Sequence, residues 1–421
     1  EEFQQRSPWP LEPVPWCSTG FYLPQDAPAG KHPWHAAGVY YLQEPSAMAV
    51  VGQLLLDEET WVADLCAAPG GKTTQIEERL GPESLLVANE TVGSRVKALG
   101  ENLERWGTSQ TVITNLEVHR IADILASVFD EVLVDAPCSG EGLFRRKPEA
   151  RAEWSLAHVG GSARRQRILL EQAARLVTPG GNLVYSTCTF GPEENEQVVA
   201  GFLDAHPGWT LDPIDDERFA PGRSDWAETG HDLSGMARLW PHRLEGDGHT
   251  IAILHRGDND FDPHIPLDAP AEIPNAPAPA QAMFGDFVQR VIPGFFIESY
   301  LIKQGDSLVL LPMMGGIAST LPMVRKGLWA GTYAPDRFTP SHALALYLQP
   351  DQCSNVEPLD FEEAARYLSG ETITRTGEPG WVLMAFDGFP LGWGKRSGDV
   401  IKNHYPKGLR RPVASWMSAA G

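Results

Sequence analysis

At 421 residues, 42% hydrophobic and 9% aromatic, the chain is long enough for two or three cores, which excludes wholesale disorder. No window carries the unbroken apolar run of a membrane span, and no secretory signal opens the chain. Five cysteines, scattered at 17, 66, 138, 188 and 353 without metal-ligand pairs, fit reduced thiols in the cytoplasm better than a disulfide framework. The formal charge of −21 argues against a nucleic-acid partner only as a sum, because binding depends on where the basic residues lie. Opening on Glu1, the chain is expected to lack its true start.

Residues 1–35, rich in Pro and Trp (Trp9, Trp16, Trp34), predict an irregular arm packed on the next domain and lining a substrate cleft. Glu44–Leu56 reads as a helix with Pro45 in its first turn. Trp61–Cys66 is the first strand and Lys72–Leu80 the helix after it; Ser84–Asn89, Val92–Trp106 and Thr111–Thr114 follow as strand, helix, strand. Glu131–Val134 is a short apolar run of the kind a buried strand makes, ending in Asp135. Ala163–Leu176 is helical, Pro179-Gly180-Gly181 closes it, and Asn182–Ser186 is the fifth strand. A helix over Pro192–Ala205 has an acidic first turn, which suits the helix dipole, and His249–His255 is a last strand. Strands alternating with helices predict a parallel, doubly wound α/β sheet.

Asp258–Ala282, with six prolines, predicts an extended, semi-rigid linker, and Phe284–Gly421 a separate, mixed α+β region. The expected divisions are an arm over 1–40, a sheet domain over 41–257, a linker over 258–283 and a C-terminal region over 284–421. Two segments oppose the acidic total. Leu143–Arg167 carries Arg145, Arg146, Lys147, Arg151, Arg164, Arg165 and Arg167, and the end of the chain carries Lys395, Arg396, Lys402, Lys407, Arg410 and Arg411. Together they favour an anionic substrate.

The turn Cys66-Ala67-Ala68-Pro69-Gly70-Gly71-Lys72-Thr73 joins a strand to a helix, yet it lacks the first glycine of a phosphate loop and is not a dinucleotide fingerprint. Asp64 at the strand end could hold an amino group. Glu90, 18 residues past Lys72, ends the second strand, where a carboxylate accepts from ribose hydroxyls. An adenosyl ribose without a pyrophosphate points to S-adenosylmethionine. Cys138 in Pro-Cys-Ser-Gly and Cys188 in Thr-Cys-Thr each follow an apolar strand. A lone buried cysteine is ordinarily a small hydrophobe, but two at strand ends beside a cofactor turn suggest a nucleophile. A thiolate adding to carbon 6 of a pyrimidine makes carbon 5 able to take a methyl group, and Asp135 could hold the N3 and exocyclic-amine edge of cytosine. Spacing alone does not say which cysteine attacks.

Asp-Leu-Cys-Ala-Ala-Pro-Gly-Gly-Lys from Asp64, Asp-Ala-Pro-Cys-Ser-Gly-Glu-Gly from Asp135 and Ser-Thr-Cys-Thr from Ser186 resemble, in that order, the Sun-type RNA cytosine-C5 methyltransferase family. Arg238-Leu-Trp-Pro-His-Arg and Gly248-His-Thr-Ile-Ala fit as well. The C-terminal Pro390-Leu-Gly-Trp-Gly-Lys and Lys402-Asn-His-Tyr-Pro-Lys-Gly-Leu-Arg are similar to its bacterial branch acting on 16S ribosomal RNA. The resemblance implies a Rossmann-like class I methyltransferase sheet followed by a smaller PUA-like RNA-binding region. It implies Cys188 as nucleophile, Cys138 as the thiol that helps release product, and Asp135 as a third catalytic group. It also implies cofactor contacts from Cys66, Ala67, Ala68, Pro69, Gly70, Gly71, Lys72, Glu90, Glu117 and Asp135. The implied partner is 16S ribosomal RNA or the 30S subunit, with no membrane and no metal. In the tail, Trp393 and Tyr405 are expected to offer stacking faces, and the flanking lysines and arginines phosphate contacts.

Two departures stand out. Glu117 occupies a position where the family usually has aspartate, and the family's amino-terminal RNA-binding portion, with its Arg-Asn-Leu-Lys-like segment, is not visible. Other readings are the same chemistry on tRNA, on DNA with Cys138 attacking, or a non-catalytic RNA-binding assembly factor.

Overall fold

The computed structural model describes residues 2–258, 275–297, 299–312 and 321–419. Its central sheet grows from four runs that read as buried strands, β1 (Trp61–Asp64), β2 (Leu85–Asn89), β3 (Thr111–Thr114) and β4 (Phe129–Asp135), with β5 (Val177–Thr187) beside β4. These five run parallel in the order β3-β2-β1-β4-β5. Val132, Leu133 and Val134 are fully buried because helices cover both faces, so this stretch of β4 is continuously apolar rather than alternating. On one face lie α4 (Val118–Ile124), α5 (Leu156–Ala174) and α6 (Glu196–Ala205), contributing Ile121, Leu170 and Phe202 to the core. On the other, α1 (Pro45–Val51) and α2 (Gly71–Glu77) bring Val50 and Ile76 against Val62 and Leu133. Between β2 and β3, α3 (Gly93–Trp106) packs Leu99 and Leu103 against Ala68 and Ile113.

Several elements depart from expectation. Helix α5 starts seven residues before Ala163, where the Ser155 hydroxyl accepts from His158 N at 3.1 Å; this N-cap is the start signal. Pro179-Gly180-Gly181 does not close that helix but lies within β5. Gly180 sits at φ +82°, and the register passes from Phe129↔Val177 to Glu131↔Asn182, so the extra residues bulge out of the ladder. The Pro192–Ala205 helix splits into a short turn at Pro192–Glu194 and α6. The sheet is mixed rather than wholly parallel. After β6 (Trp209–Asp212), β7 (Ala220–Pro221) and β8 (Ala237–Leu239), the strand β9 (His249–Arg256) returns antiparallel to β5. The short strands after α6 bring the chain back to the same end of the sheet, which permits that direction.

Most of the proline-rich stretch lies outside the described residues, but its last part is not extended: α7 (Ala278–Val291) begins there, on Pro277. Strands β10 (Ser299–Gln304) and β11 (Ser307–Pro312) follow. Next, β12 (Met323–Lys326) pairs with edge strand β3, Met323 opposite Thr114, so the first sheet is completed by a strand from far along the chain. Edge strands left open invite unwanted pairing, and β12 covers this one. Strands β13 (Leu328–Ala334) and β14 (Arg337–Pro340) complete a four-stranded sheet, β10-β11-β13-β14, and α8 (His342–Tyr347) packs on it.

The final module contains β15 (Val356–Leu359), α9 (Phe361–Leu368), β16 (Ile373–Thr374), β17 (Gly380–Phe386), β18 (Phe389–Ser397) and β19 (Val400–Asn403), with sheet order β15-β17-β18-β19-β16. The arm does not pack on one neighbour alone. Trp34 and Ala36 enter the core of this last module, with Trp34 Nε1 donating to Asp387 Oδ2 at 3.1 Å. Trp16 packs against Phe219 and donates to the Pro45 carbonyl at 2.8 Å. No helix among the described residues is long and apolar enough to cross a membrane.

Candidate active site

The parallel register aligns the carboxyl ends of β1, β2, β4 and β5 along one rim, with Asp135 opposite Ser186 and Asp64 opposite Leu133. Chains leaving those ends carry the polar groups outward, which is where an open α/β sheet offers a crevice. There a cavity of about 370 Å³ is lined by Asp64, the Cys66–Lys72 turn, Asp135 and Cys188, together with Glu44, Arg146, Asp247 and His249. Cys66 also lines a smaller cavity of about 240 Å³ with Thr91, Glu117 and Pro137.

The turn is shaped by close packing. Gly70 stands at φ +112°, a region L side chains avoid, and a Cβ there would meet Leu99. Asp64 is buried, with Oδ2 accepting from Thr73 Oγ1 at 2.7 Å and Oδ1 left without a partner among the described residues. Burial pushes its carboxyl up to about 7, despite the Thr73 hydroxyl. Burial also raises the Cys66 thiol, as does nearby Asp64.

Asp135 is held from two sides: Lys72 Nζ donates to Oδ2 at 2.7 Å and Ser186 Oγ to Oδ1 at 2.8 Å. Burial alone would raise this carboxyl, but the Lys72 ammonium, His249 and the Ser186 hydroxyl together outweigh it and the result is below the usual range. Burial likewise works against the ammonium, and Asp135 reverses it, so Lys72 is raised.

The two thiols, 50 residues apart in sequence, come together with their sulfurs at 3.3 Å. Polar groups clamp their loops to each other. Ser139 Oγ and Thr189 Oγ1 are 2.8 Å apart, and Glu141 accepts from Phe190 N and Gly191 N at 2.8 and 3.0 Å. Glu194, wholly buried, accepts from Ser139 N and from Gln166, which also bonds the Pro137 carbonyl. Gly142 N donates to the Cys188 carbonyl at 2.9 Å, and any Cβ at Gly142 would strike the Cys188 and Asp247 carbonyls. The contact with the Cys188 sulfur, and after it burial, raises the Cys138 thiol far above its usual value. Either sulfur can be the donor in that contact.

Every singled-out residue falls on this rim except two whose placement is less direct. Glu90 lies below the surface, accepting from Val92 N at 2.8 Å and paired with Arg95 at 3.0 Å; it is Arg95 that reaches the larger cavity. Glu117 precedes α4 and lines only the smaller cavity. The sequence reading assigns no role to Glu44, Asp247 or His249, although His249 lies in the Gly248-His-Thr-Ile-Ala motif. Glu44 caps α1 by accepting from Ser46 N and Ala47 N, while Asp247 N donates to it from across the fold. Among the described residues no group of three or more His, Cys, Asp or Glu side chains could hold a metal ion.

Residues 51–255 match the family model for 16S rRNA methyltransferase RsmB/F. Three models particular to RsmF match around it: its N-terminal domain over 1–45, its first C-terminal domain over 286–348 and its PUA domain over 354–411. Ribosomal RNA small subunit methyltransferase F of Erwinia tasmaniensis is 33% identical over 96% of this chain and 86% of its own length. The protein of the same name from Shewanella oneidensis is 31% identical over 97% and 87%. The chain belongs to the RsmF family of ribosomal RNA small subunit methyltransferases. Among solved structures, a methyltransferase homologue from Pyrococcus horikoshii superposes with a TM-score of 0.54 at 28% identity, over 61% of this chain and 81% of that one. Members of this family are rRNA methyltransferases with a PUA module at the carboxyl end, and that is the architecture here.

One expectation for that module fails. Trp393 and Tyr405 are not stacking faces: both are buried, Trp393 Nε1 donating to the Ser341 carbonyl at 2.8 Å and the Tyr405 ring packed on Tyr367. Trp393 sits on a strand covered on both sides, so it fills core. Arg396 is also buried, paired with Glu357. The surface aromatic is Trp381, half-buried, with Lys395 over its ring at 5.2 Å and His404 against it at 4.6 Å.

Proposed function

We propose that this protein transfers a methyl group from S-adenosylmethionine to carbon 5 of cytosine in 16S ribosomal RNA, through a covalent bond between Cys188 Sγ and carbon 6. The observation that carries the reading is the 3.3 Å contact of Cys138 with Cys188, which lines the cavity that also holds the Lys72–Asp135 pair.

The residues present fit the cofactor. The free Oδ1 of buried Asp64 suits an amino group, the Cys66–Lys72 turn brings backbone to the cavity, and Cys66 joins the two cavities. Asp64 and residues 66–72 would hold the amino-acid end, with Glu90 and Glu117 towards the nucleoside. When bound, S-adenosylmethionine supplies an electrophilic methyl group.

The chain's own groups do the rest. The Cys188 thiolate adds to carbon 6, and electron density moves to carbon 5, which takes the methyl group. Asp135, oriented by Lys72 and Ser186, accepts from the exocyclic amine and, once the adduct carries a proton on N3, from N3 as well. Water takes the carbon-5 proton, the electron pair of that C–H bond re-forms the carbon-5–carbon-6 double bond, the carbon–sulfur bond breaks, and Cys138, 3.3 Å away, assists the departing Cys188 sulfur. Arg145, Arg146, Lys147, Arg151, Arg164, Arg165 and Arg167 are all exposed, with Arg146 on the larger cavity and Arg165 on the smaller one, and suit RNA phosphates. Trp381 with Lys395 adds a stacking face on the PUA-like module. The target base must leave its stack to reach Cys188, at a cost of about a few kcal/mol. A ribosomal substrate places the reaction in the cytoplasm, with free rRNA or the 30S subunit as partner.

The test is methyl transfer to 16S rRNA and to 30S subunits followed by bisulfite sequencing. The expected result is 5-methylcytosine at discrete positions. A methyl group found on ribose or on an exocyclic nitrogen would defeat the proposal.

A further inference from the structure

His249 lines the catalytic cavity, and the mechanism above leaves it unused. It follows Gly248 at the start of β9, where the last ladder pair is Thr250↔Thr187. One step further along that register, His249 stands across from Cys188. Its ring Nδ1 is 2.9 Å from Ser46 Oγ.

Counting hydrogens around Ser46 settles the tautomer. The one hydroxyl hydrogen of Ser46 goes to the Glu44 carboxylate, which can only accept, and Gly248 N donates to the same oxygen at 3.0 Å. The contact to His249 therefore uses a hydrogen carried on Nδ1. Burial, helped by the nearby Lys72 ammonium, lowers the imidazole to about 4, so the ring is neutral near pH 7. A neutral ring with its hydrogen on Nδ1 presents a bare lone pair on Nε2. No described residue donates to Nε2, and it is not sealed from the cavity.

The neighbouring polar groups are committed elsewhere. Glu44 accepts from Ser46 and Asp247 N, Asp247 is paired with Arg145 and Arg146, and Lys72 is paired with Asp135. Beside Asp135 the cavity thus offers a second fixed acceptor. The 4-amino group of cytosine carries two N–H donors, and Asp135 can take only one of them along the N3 edge.

We propose that His249 Nε2 accepts the second N–H of the target's 4-amino group and so determines cytosine specificity, with Glu44 and Ser46 as positioning residues that lock the tautomer. Uracil would present a carbonyl oxygen to this lone pair, acceptor against acceptor. This inference rests on the cytosine-C5 reading and deepens it.

The experiment measures single-turnover methyl transfer to RNA carrying cytosine or pyrimidin-2-one, which lacks the amine, at the target position. Wild-type protein is compared with His249→Phe, His249→Gln and Ser46→Ala. His249→Phe is expected to reduce the preference for cytosine over pyrimidin-2-one about tenfold, the worth of one good hydrogen bond. His249→Gln, which restores an acceptor, is expected to keep most of the preference, and Ser46→Ala to lose part of it. Calorimetric binding of S-adenosylmethionine to each variant checks that the site is folded. If His249→Phe slows both RNAs equally and leaves the ratio intact, the histidine is structural and the inference falls. Absence of 5-methylcytosine from the wild-type reaction would instead overturn the underlying reading along with it.

Discussion

The rim of the first sheet and the C-terminal five-stranded sheet both bury charged side chains, and they do so to opposite ends. At the rim, Lys72 and Asp135 pair beside open volume, and each keeps valences that a substrate can use. In the C-terminal sheet, Glu357 is shared between buried Arg396 and part-exposed Arg375 at 2.5 and 2.7 Å, each charge answered by another side chain. The first arrangement is chemistry; the second holds a sheet together. Buried charge alone does not mark an active site, whereas buried charge around an empty space of ligand size does.

The largest effect that sharpens this contrast falls on the sulfurs. Cys188→Ala should reduce methyl transfer by at least about a thousandfold and abolish the covalent adduct on RNA carrying 5-azacytidine or 5-fluorocytosine, read as a shifted band on a denaturing gel. Cys138→Ala should let that adduct accumulate. The reverse pattern would hand the attack to Cys138.

Lys72→Met comes next, with a loss of about a hundredfold expected for removing one preorganised charge partner. Its sharper readout is pH. Lys72 is what holds the Asp135 carboxyl low against burial, so its removal lets the proton return at higher pH. The acid limb of the pH–rate profile should therefore move upward in the variant; an unmoved limb breaks the assignment of Asp135.

On the structural side, Trp393→Ala should cost about 3–5 kcal/mol of stability, seen in denaturant unfolding, because it empties a packed site. If it instead weakened RNA binding without destabilising the protein, the division between the two sheets would fail.

Asp64 links stability to pH at the rim. Its folded value near 7 lies above the ordinary 3.8, so the native protein holds a proton that the unfolded chain releases. The resulting stabilisation is present below about pH 4 and is lost as pH rises through 7. Asp64→Asn should flatten the Tm profile across that window.

Smallest of all, Trp381→Ala with Lys395→Ala should weaken RNA binding by about 1 kcal/mol at most per stacked base while leaving Tm nearly unchanged.

Much of this was legible in the chain itself, for a local reason. Strand ends followed by Cys66–Lys72, Pro137-Cys138 and Thr187-Cys188 announce where a parallel sheet must open, since apolar runs and turn residues act over a few positions. Thr111–Thr114 lies where its apolar pattern places it. Tertiary structure alone decided what depends on distant segments. The antiparallel return of β9 brings His249 to the rim, and β12 closes the sheet from more than 200 residues beyond its partner β3. The fate of Trp393 belongs here too, because an aromatic beside basic residues reads the same whether a helix later covers it or not. Side-chain periodicity tells which way a residue points within its own strand; what lies on the other side is set by packing that no short stretch of sequence contains.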